Sequence, residues 1–172
     1  MDSPLTLEQV ASPIGILTLV TEGDVVHALS FPEGAAQALD LFRRRCPGLH
    51  FEEPVQETPS SVRLRAYFQG ELEAISGMKV QADGTAFQQE VWAALREIAP
   101  GTTTTYGELA RRLGRPGASR AVGLANSENP IAIVVPCHRV VGAGGALTGY
   151  GGGLERKRWL LGHEAAASFQ LR

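Results

Sequence analysis

Apolar and β-branched residues dominate two short runs near the start of the chain, GILTLV at 15–20 and VVHALS at 25–30, separated by a polar stretch containing Gly23. This pattern predicts two strands of a hairpin. Residues 35–45 and 60–69 have helical composition, and Pro47, Pro54 and Pro59 punctuate the acidic connection between them. Residues 78–80 (MKV) can return to the sheet. The first half therefore reads as a small mixed α/β unit without an internal repeat and without a motif that carries chemistry.

After Gly84 the period changes to that of helices. Thr85 followed by Gln88 predicts a capping box, and Phe87, Val91, Ala94, Leu95 and Ile98 line one face before Pro100 and Gly101 stop the helix. Thr105 with Glu108 repeats the cap, Leu109, Ala110 and Leu113 supply the apolar side, and Gly114 fits the C-terminal end. A further helix is expected at once, with Pro116 in its first turn and Ala118, Ala121, Val122 and Ala125 as its buried stripe. Two short helices joined by Gly114, Arg115 and Pro116 have the form of a helix-turn-helix. Arg120 and Gly123 fall opposite the stripe, so the outer face pairs a long cation with a position lacking a side chain.

The 172 residues suffice for one domain or two small ones, with a boundary expected at Gly84. Hydrophobic residues make up 44% and charged residues 20%, which excludes disordered, collagenous and coiled-coil classes. The longest purely apolar run, residues 131–135, is far short of a membrane span, and the opening MDSP is not a basic, apolar leader, so a cytoplasmic protein is expected. In that compartment Cys46 and Cys137 stay reduced. The four histidines, His27, His50, His138 and His163, are scattered and no Cys-x-x-Cys occurs, which argues against structural zinc.

Formal net charge is −2, but it is unevenly spread: residues 1–84 hold 6 Lys/Arg against 12 Asp/Glu, and residues 85–172 hold 10 against 6. The second half is the candidate for meeting a polyanion, and Arg111, Arg112, Arg115 and Arg120 against the single Glu108 concentrate that field at the helix pair.

The segment 129–140, NPIAIVVPCHRV, is the richest in chemistry. A buried strand running into Pro136 is expected to deliver Cys137 at its end, held but accessible. Positive charge from His138 and Arg139 is expected to favour the thiolate. Extended backbone points adjacent side chains to opposite sides, so His138 would reach the sulfur through a water. In the last helix, residues 154–164, Glu164 falls between Leu160 and Leu161 in the apolar sector, where a carboxylate needs a partner, and a histidine fits. Cys, His and Glu in that order form a base-activated thiolate.

With these residues in view, the sequence closely resembles the O6-alkylguanine-DNA alkyltransferases of the bacterial Ogt-like type. The similarity rests on SPIGILTL (12–19), AYFQG (66–70), FQQEVW (87–92), TTYGELA (104–110), SRAVG (119–123), NP (129–130), PCHRV (136–140) and LTGYGGGL (147–154), and covers most of the chain. The resemblance implies an α/β fold, with a small ribonuclease H-like N-terminal domain (1–84) and a mainly helical C-terminal domain (85–172) that binds DNA and accepts the alkyl group. It implies irreversible transfer of the alkyl group of O6-alkylguanine, and of O4-alkylthymine with it, from duplex DNA to Cys137, once per molecule. His138 would deprotonate Cys137 through a water, Glu164 would orient His138, and Asn129 would stabilise the turn. Tyr106, Tyr150 and the backbones of Cys137, Val140 and Gly151 would hold the extruded base. Arg120 would fill the vacated stack, while Arg115, Ala118, Ser119 and Gly123 lie along the minor groove. No cofactor and no metal is implied, and a monomer in solution is expected, with cooperative assembly on DNA left open. The cysteines and histidines of zinc-bearing relatives and the extra cysteine-rich domain of transcription-regulating ones are missing, whereas the acceptor cysteine lost in non-repairing relatives is kept. Two other readings remain: a lesion-binding or helix-turn-helix regulatory protein for which Cys137 is dispensable, and a cysteine hydrolase.

Overall fold

The computed structural model describes residues 4–170. The opening residues 1–3, on which the expectation of a missing leader partly rests, lie outside this range. The chain forms two compact units, one running to Ala82 and taking in Pro130–Ala132, the other made of Asp83–Asn129 and the chain from Ile133 onward.

In the first unit, β1 (Leu5–Ser12), β2 (Gly15–Glu22) and β3 (Val25–Ser30) form an antiparallel meander, with Leu7 opposite Val20 and Val20 opposite Ala28. Gly23, at φ +58°, makes the β2–β3 turn. Two-residue strands β4 (Phe51–Glu52) and β5 (Lys79–Val80) join in parallel at the edges, giving the order β4-β1-β2-β3-β5. Five consecutive residues of central β2, Leu17 to Thr21, are buried, which explains its run of apolar residues in place of strict alternation. Two helices accompany the sheet. Helix α1 (Pro32–Arg45) starts on a proline and ends on Arg43, Arg44 and Arg45, favourable against its dipole. Helix α2 (Pro59–Phe68) is capped by Thr58, whose hydroxyl accepts from the Ser61 amide at 3.2 Å and donates to Glu8 at 2.7 Å, and it buries Leu64 and Tyr67 completely.

The second unit is helical. Helix α3 (Ala86–Arg96) carries the full capping box, with Gln88 N–H on Thr85 Oγ1 at 3.2 Å and Thr85 N–H on Gln88 Oε1 at 2.8 Å. Helix α4 (Tyr106–Arg112) is capped by Thr105, and Gly114, at φ +69°, turns the chain out of it. Helix α5 (Ser119–Ser127) is tied to α3 by Trp92, whose indole N–H donates to the Ala125 carbonyl at 2.9 Å. Helix α6 (Leu154–Gln170) closes the described chain, and β6 (Thr104–Thr105) pairs in parallel with β7 (Val140–Val141). Val91, Leu95, Leu109, Val122 and Leu160 are fully buried in this core, each stabilising by roughly 1.5–3 kcal/mol.

Three expectations are corrected. Residues 131–135 are not a strand: Ile131 makes a lone bridge with Leu29, and a turn follows in which Ile133 takes φ +69°. The buried stripe of α5 is Val122, Ala125 and Asn126, with Ala121 exposed and Ala118 half-buried, because the helix starts only at Ser119, which leaves Ala118 as its cap, and the face it buries reaches Asn126 in place of Ala121. Pro116 consequently lies in the connection, not in the helix. No helix of the described residues is long and apolar enough to cross a membrane.

Candidate active site and nucleic-acid interface

The turn entering the site is held against strain. Ile133, β-branched and completely buried, sits in left-handed backbone, a conformation that costs on the order of 1–3 kcal/mol. Asn129 bridges it, donating from Nδ2 to the Val135 carbonyl at 2.8 Å. Pro136 then leads into a 3-10 turn, Cys137–Arg139, so the backbone at the cysteine is curled where an extended strand end was expected. The Cys137 amide reaches back to the Val135 carbonyl at 2.8 Å. Cys137 is 7% exposed, buried yet touching the surface, while Cys46 is exposed, and both are free thiols.

His138 is fully buried, and its Nε2 lies 2.7 Å from Glu164 Oε1 of α6. With the Nε2 hydrogen donated to that carboxylate, Nδ1 carries the lone pair, and Nδ1 is buried without a hydrogen-bond partner among the described residues. Glu164 is also grasped by Arg139, from Nη2 to Oε1 at 2.8 Å and from Nε to Oε2 at 3.0 Å, while Nη1 of the same guanidinium donates to the Ile98 carbonyl at 2.6 Å. The Gly101 amide adds a bond to Oε2 at 3.3 Å. Arg139 is therefore committed to Glu164, and Lys157 is the cation whose charge bears directly on the thiol.

The titration pattern follows. Burial pushes the Cys137 thiol up, against the opposing Asn129 hydrogen bond and the positive charge of Lys157. Burial holds His138 below the usual histidine range despite the Glu164 carboxylate. Burial alone would raise Glu164, but the hydrogen bonds from His138 and Arg139 outweigh it and keep the carboxyl ionised far into acid. These directions favour a thiol, a neutral imidazole and a carboxylate at rest, an arrangement in which Cys137 could act as a nucleophile only after a base takes its proton.

Sequence reasoning missed Lys157. The buried face of α6 is Lys157, Leu160 and Glu164, and Lys157 is fully enclosed, its Nζ donating to the carbonyls of Val140 at 2.6 Å and Thr148 at 3.0 Å. This fastens the residue before the glycine-rich segment 141–153 to the middle of that segment. Its only sequence signal was a place three residues before Leu160 on the helix face that holds Glu164. Asn126 was missed too; it sits in the α5 stripe and donates to the Cys137 carbonyl at 3.4 Å.

The remaining site residues are distributed as follows. Val140 is buried at the end of the turn, and its carbonyl already accepts from Lys157. Tyr150 is half-buried and Gly151 exposed on the glycine-rich segment. Tyr106 opens α4, and a Cβ at Gly123 would meet its ring at an ordinary 3.7 Å, so packing does not demand a glycine there. Ser119 and Ala118 are half-buried at the start of α5, and Arg120 is exposed. Arg115 is less available than its charge suggests, being 3.1 Å from Glu90 and stacked over Phe87 at 4.9 Å. Arg111 pairs with Glu108 at 3.4 Å. Among the described residues no cluster of His, Cys, Asp or Glu is arranged to hold a metal ion.

Comparison with known proteins places this geometry in context. Residues 86–166 match the family model for the 6-O-methylguanine DNA methyltransferase DNA binding domain. A methylated-DNA–protein-cysteine methyltransferase of Shigella flexneri is 45% identical over 161 residues, covering 91% of this chain and 94% of the relative. That of Mycobacterium bovis is 50% identical over 150 residues, covering 87% and 86%. The crystal structure of Mycobacterium tuberculosis O6-methylguanine methyltransferase superposes with a TM-score of 0.79 at 45% identity, covering 95% of this chain and 94% of that one. The same organism's OGT in complex with DNA also gives 0.79, at 45% identity and 94% coverage of each chain. The chain belongs to the methylated-DNA–protein-cysteine methyltransferase family.

Proposed function

We propose that this protein reverses alkylation damage directly, taking the alkyl group from O6-alkylguanine, and from O4-alkylthymine, in duplex DNA onto its own Cys137. The observation that carries the reading is the enclosed Cys137–His138–Glu164 series, with His138 Nε2 spent on Glu164 and Nδ1 left as the proton acceptor.

His138 takes the thiol proton through a water, and the imidazolium so formed is stabilised by Glu164. The sulfur attacks the alkyl carbon from behind, the S–C bond forms as the C–O6 bond breaks, and the electron pair leaves on the purine, which takes up a proton to give guanine. A thiolate is a soft nucleophile suited to an alkyl carbon. The product is a thioether, which the acid–base groups around Cys137 have no means to cleave, so each molecule acts once. Asn129 contributes by fixing the turn and by its hydrogen bond to the sulfur.

The second unit carries both the acceptor and the DNA contacts. Helix α5 enters the minor groove with Arg120 in the stack and the small face at Gly123 against the backbone, and Ser119, Ala118 and Arg115 lie alongside. Extruding a base costs a few kcal/mol, less at a damaged pair, which favours lesions. Tyr106 and Tyr150, with the backbones of Cys137, Val140 and Gly151, receive the base. The protein acts as a monomer in the cytoplasm, where both its thiols stay reduced.

The test is stoichiometry. Limiting protein is mixed with duplex containing O6-methylguanine within a restriction site, and cleavable duplex is counted. A plateau at one restored duplex per protein, lost in Cys137→Ala, is expected, and continued turnover would refute the single-use mechanism.

A further inference from the structure

Glu164 is more heavily occupied than orientation of one histidine requires. Oε1 receives His138 Nε2 at 2.7 Å, Arg139 Nη2 at 2.8 Å and Arg139 Nε at 3.2 Å, and Oε2 receives Arg139 Nε at 3.0 Å and the Gly101 amide at 3.3 Å. A carboxylate offers about four lone-pair directions, so this one is saturated. Arg139 itself is 4% exposed and is anchored at its other end by the Ile98 carbonyl at 2.6 Å, which fixes the guanidinium plane.

We propose that Arg139 is a positioning residue that keeps His138 in its neutral, proton-accepting form by neutralising Glu164. The proposal rests on the reading of His138 as the base for Cys137.

The argument is one of charge in an enclosed space. The titratable groups around the imidazole are Cys137 and Arg139 on its own turn and Glu164 and Lys157 on α6, while the connection after α3 contributes the Ile98 carbonyl to Arg139 and the Gly101 amide to Glu164. With His138 neutral, the single carboxylate is matched by Arg139. A protonated His138 at rest would place three cations, with Arg139 and Lys157, against that one carboxylate, in a site where like charges are poorly screened. Moving a proton from Cys137 to His138 leaves the net charge of the cluster unchanged, so the productive step escapes this penalty. Without the guanidinium, Glu164 would face His138 alone and hold an imidazolium at rest, already protonated and unable to accept from Cys137. An arginine suits this place because its planar fork binds the carboxylate while leaving Oε1 reachable by the ring.

The experiment reads the pH dependence of Cys137 alkylation by iodoacetamide in the whole protein, site-resolved by mass spectrometry, because this reagent needs neither DNA nor a flipped base. Removing a cation raises the apparent pKa values of the coupled Cys137–His138 pair. The acidic limb of the rate profile is therefore expected to move upward by about one pH unit in Arg139→Gln, a roughly tenfold lower rate on the limb, and to stay near its wild-type position in Arg139→Lys even if the plateau falls. A uniform loss at every pH in Arg139→Gln, or an equal shift in Arg139→Lys, would overturn the proposal. If Arg139→Gln does not fold, histidine ¹³C NMR of the wild-type protein decides: a neutral Nε2–H imidazole for His138 at neutral pH is expected, and an imidazolium overturns the idea. Failure of the base assignment is told apart by His138→Gln, which would then leave the limb in place, and failure of the repair reading by intact iodoacetamide chemistry without methyl transfer from duplex.

Discussion

The imidazole of His138 and the carboxylate of Glu164 meet at 2.7 Å, and neither side chain is accessible to solvent. Their bond leaves Nδ1 as the ring nitrogen without a partner among the described residues, and in the proposed mechanism this makes the two residues a unit. His138→Gln is expected to slow methyl transfer from duplex by about 10²–10⁴-fold, the usual weight of a positioned general base, with DNA affinity unchanged. Rapid-quench transfer rates beside binding titrations check this, and a matching loss of affinity would indicate misfolding.

Glu164→Gln has a second consequence, because the amide strands Arg139 in the interior. A loss of about 3–5 kcal/mol is expected for breaking a buried pair by removing one partner. Urea unfolding measures it, and a change under 1 kcal/mol would mean that the Glu164–Arg139 contact contributes little to stability.

Acid should unfold the protein by a defined route. Glu164 and His138 both have folded-state pKa values below their unfolded ones, the first through its bonds to His138 and Arg139 outweighing burial, the second through burial. The unfolded chain therefore binds more protons as pH falls, and stability declines from about pH 6.5 for the histidine and further below about pH 4.3 for the carboxylate. Melting temperatures between pH 8 and 4 test this. The decline between pH 7 and 5.5 should shrink in His138→Gln, and an unchanged decline there would assign it to other groups.

The helical half was legible because its signals are local. Thr85 with Gln88, Thr105 with Glu108, and Gly114 each act within one turn: Thr85 and Gln88 form the full box, Thr105 accepts from the Glu108 amide while the Glu108 carboxylate pairs with Arg111, and Gly114 turns the chain out of α4. The run 131–135 misled because fully buried apolar residues carry no period, so a turn clamped by Asn129 and a left-handed Ile133 looks like a strand. Strand β1 escaped notice because Glu8 and Gln9 interrupt its alternation, although it pairs with β2 along its whole length. At the site, Glu164 could be found as a carboxylate in an apolar sector, whereas Lys157 reads as a surface cation until the carbonyls of Val140 and Thr148 are seen around it. The commitment of Arg139 to Glu164 depends on where a helix 25 residues downstream returns, which no local pattern records.

Asn129 joins the turn to the nucleophile through its bond to the Val135 carbonyl and its hydrogen bond to the thiol. Asn129→Ala should raise the Cys137 pKa further and cost about 0.5–1.5 kcal/mol for one lost hydrogen bond, since the Val135 carbonyl keeps its bond from the Cys137 amide. Iodoacetamide kinetics against pH, together with urea unfolding, check both effects, and an unmoved acidic limb would separate the asparagine from the sulfur.

Arg120 is exposed on α5 and belongs to no part of the catalytic cluster. Arg120→Ala should slow repair of duplex at least tenfold more than reaction with free O6-benzylguanine, corresponding to about 1.4 kcal/mol between the two substrates. Equal losses on both would remove it from the base stack.

The most direct test of the account is peptide mass spectrometry after the protein meets duplex DNA carrying O6-methylguanine. The account predicts that the peptide containing Cys137 gains one methyl group in place of the thiol hydrogen, in proportion to guanine restored, with Cys46 untouched. An unmodified Cys137 peptide alongside repaired DNA, or a methyl group found on Cys46, would contradict it.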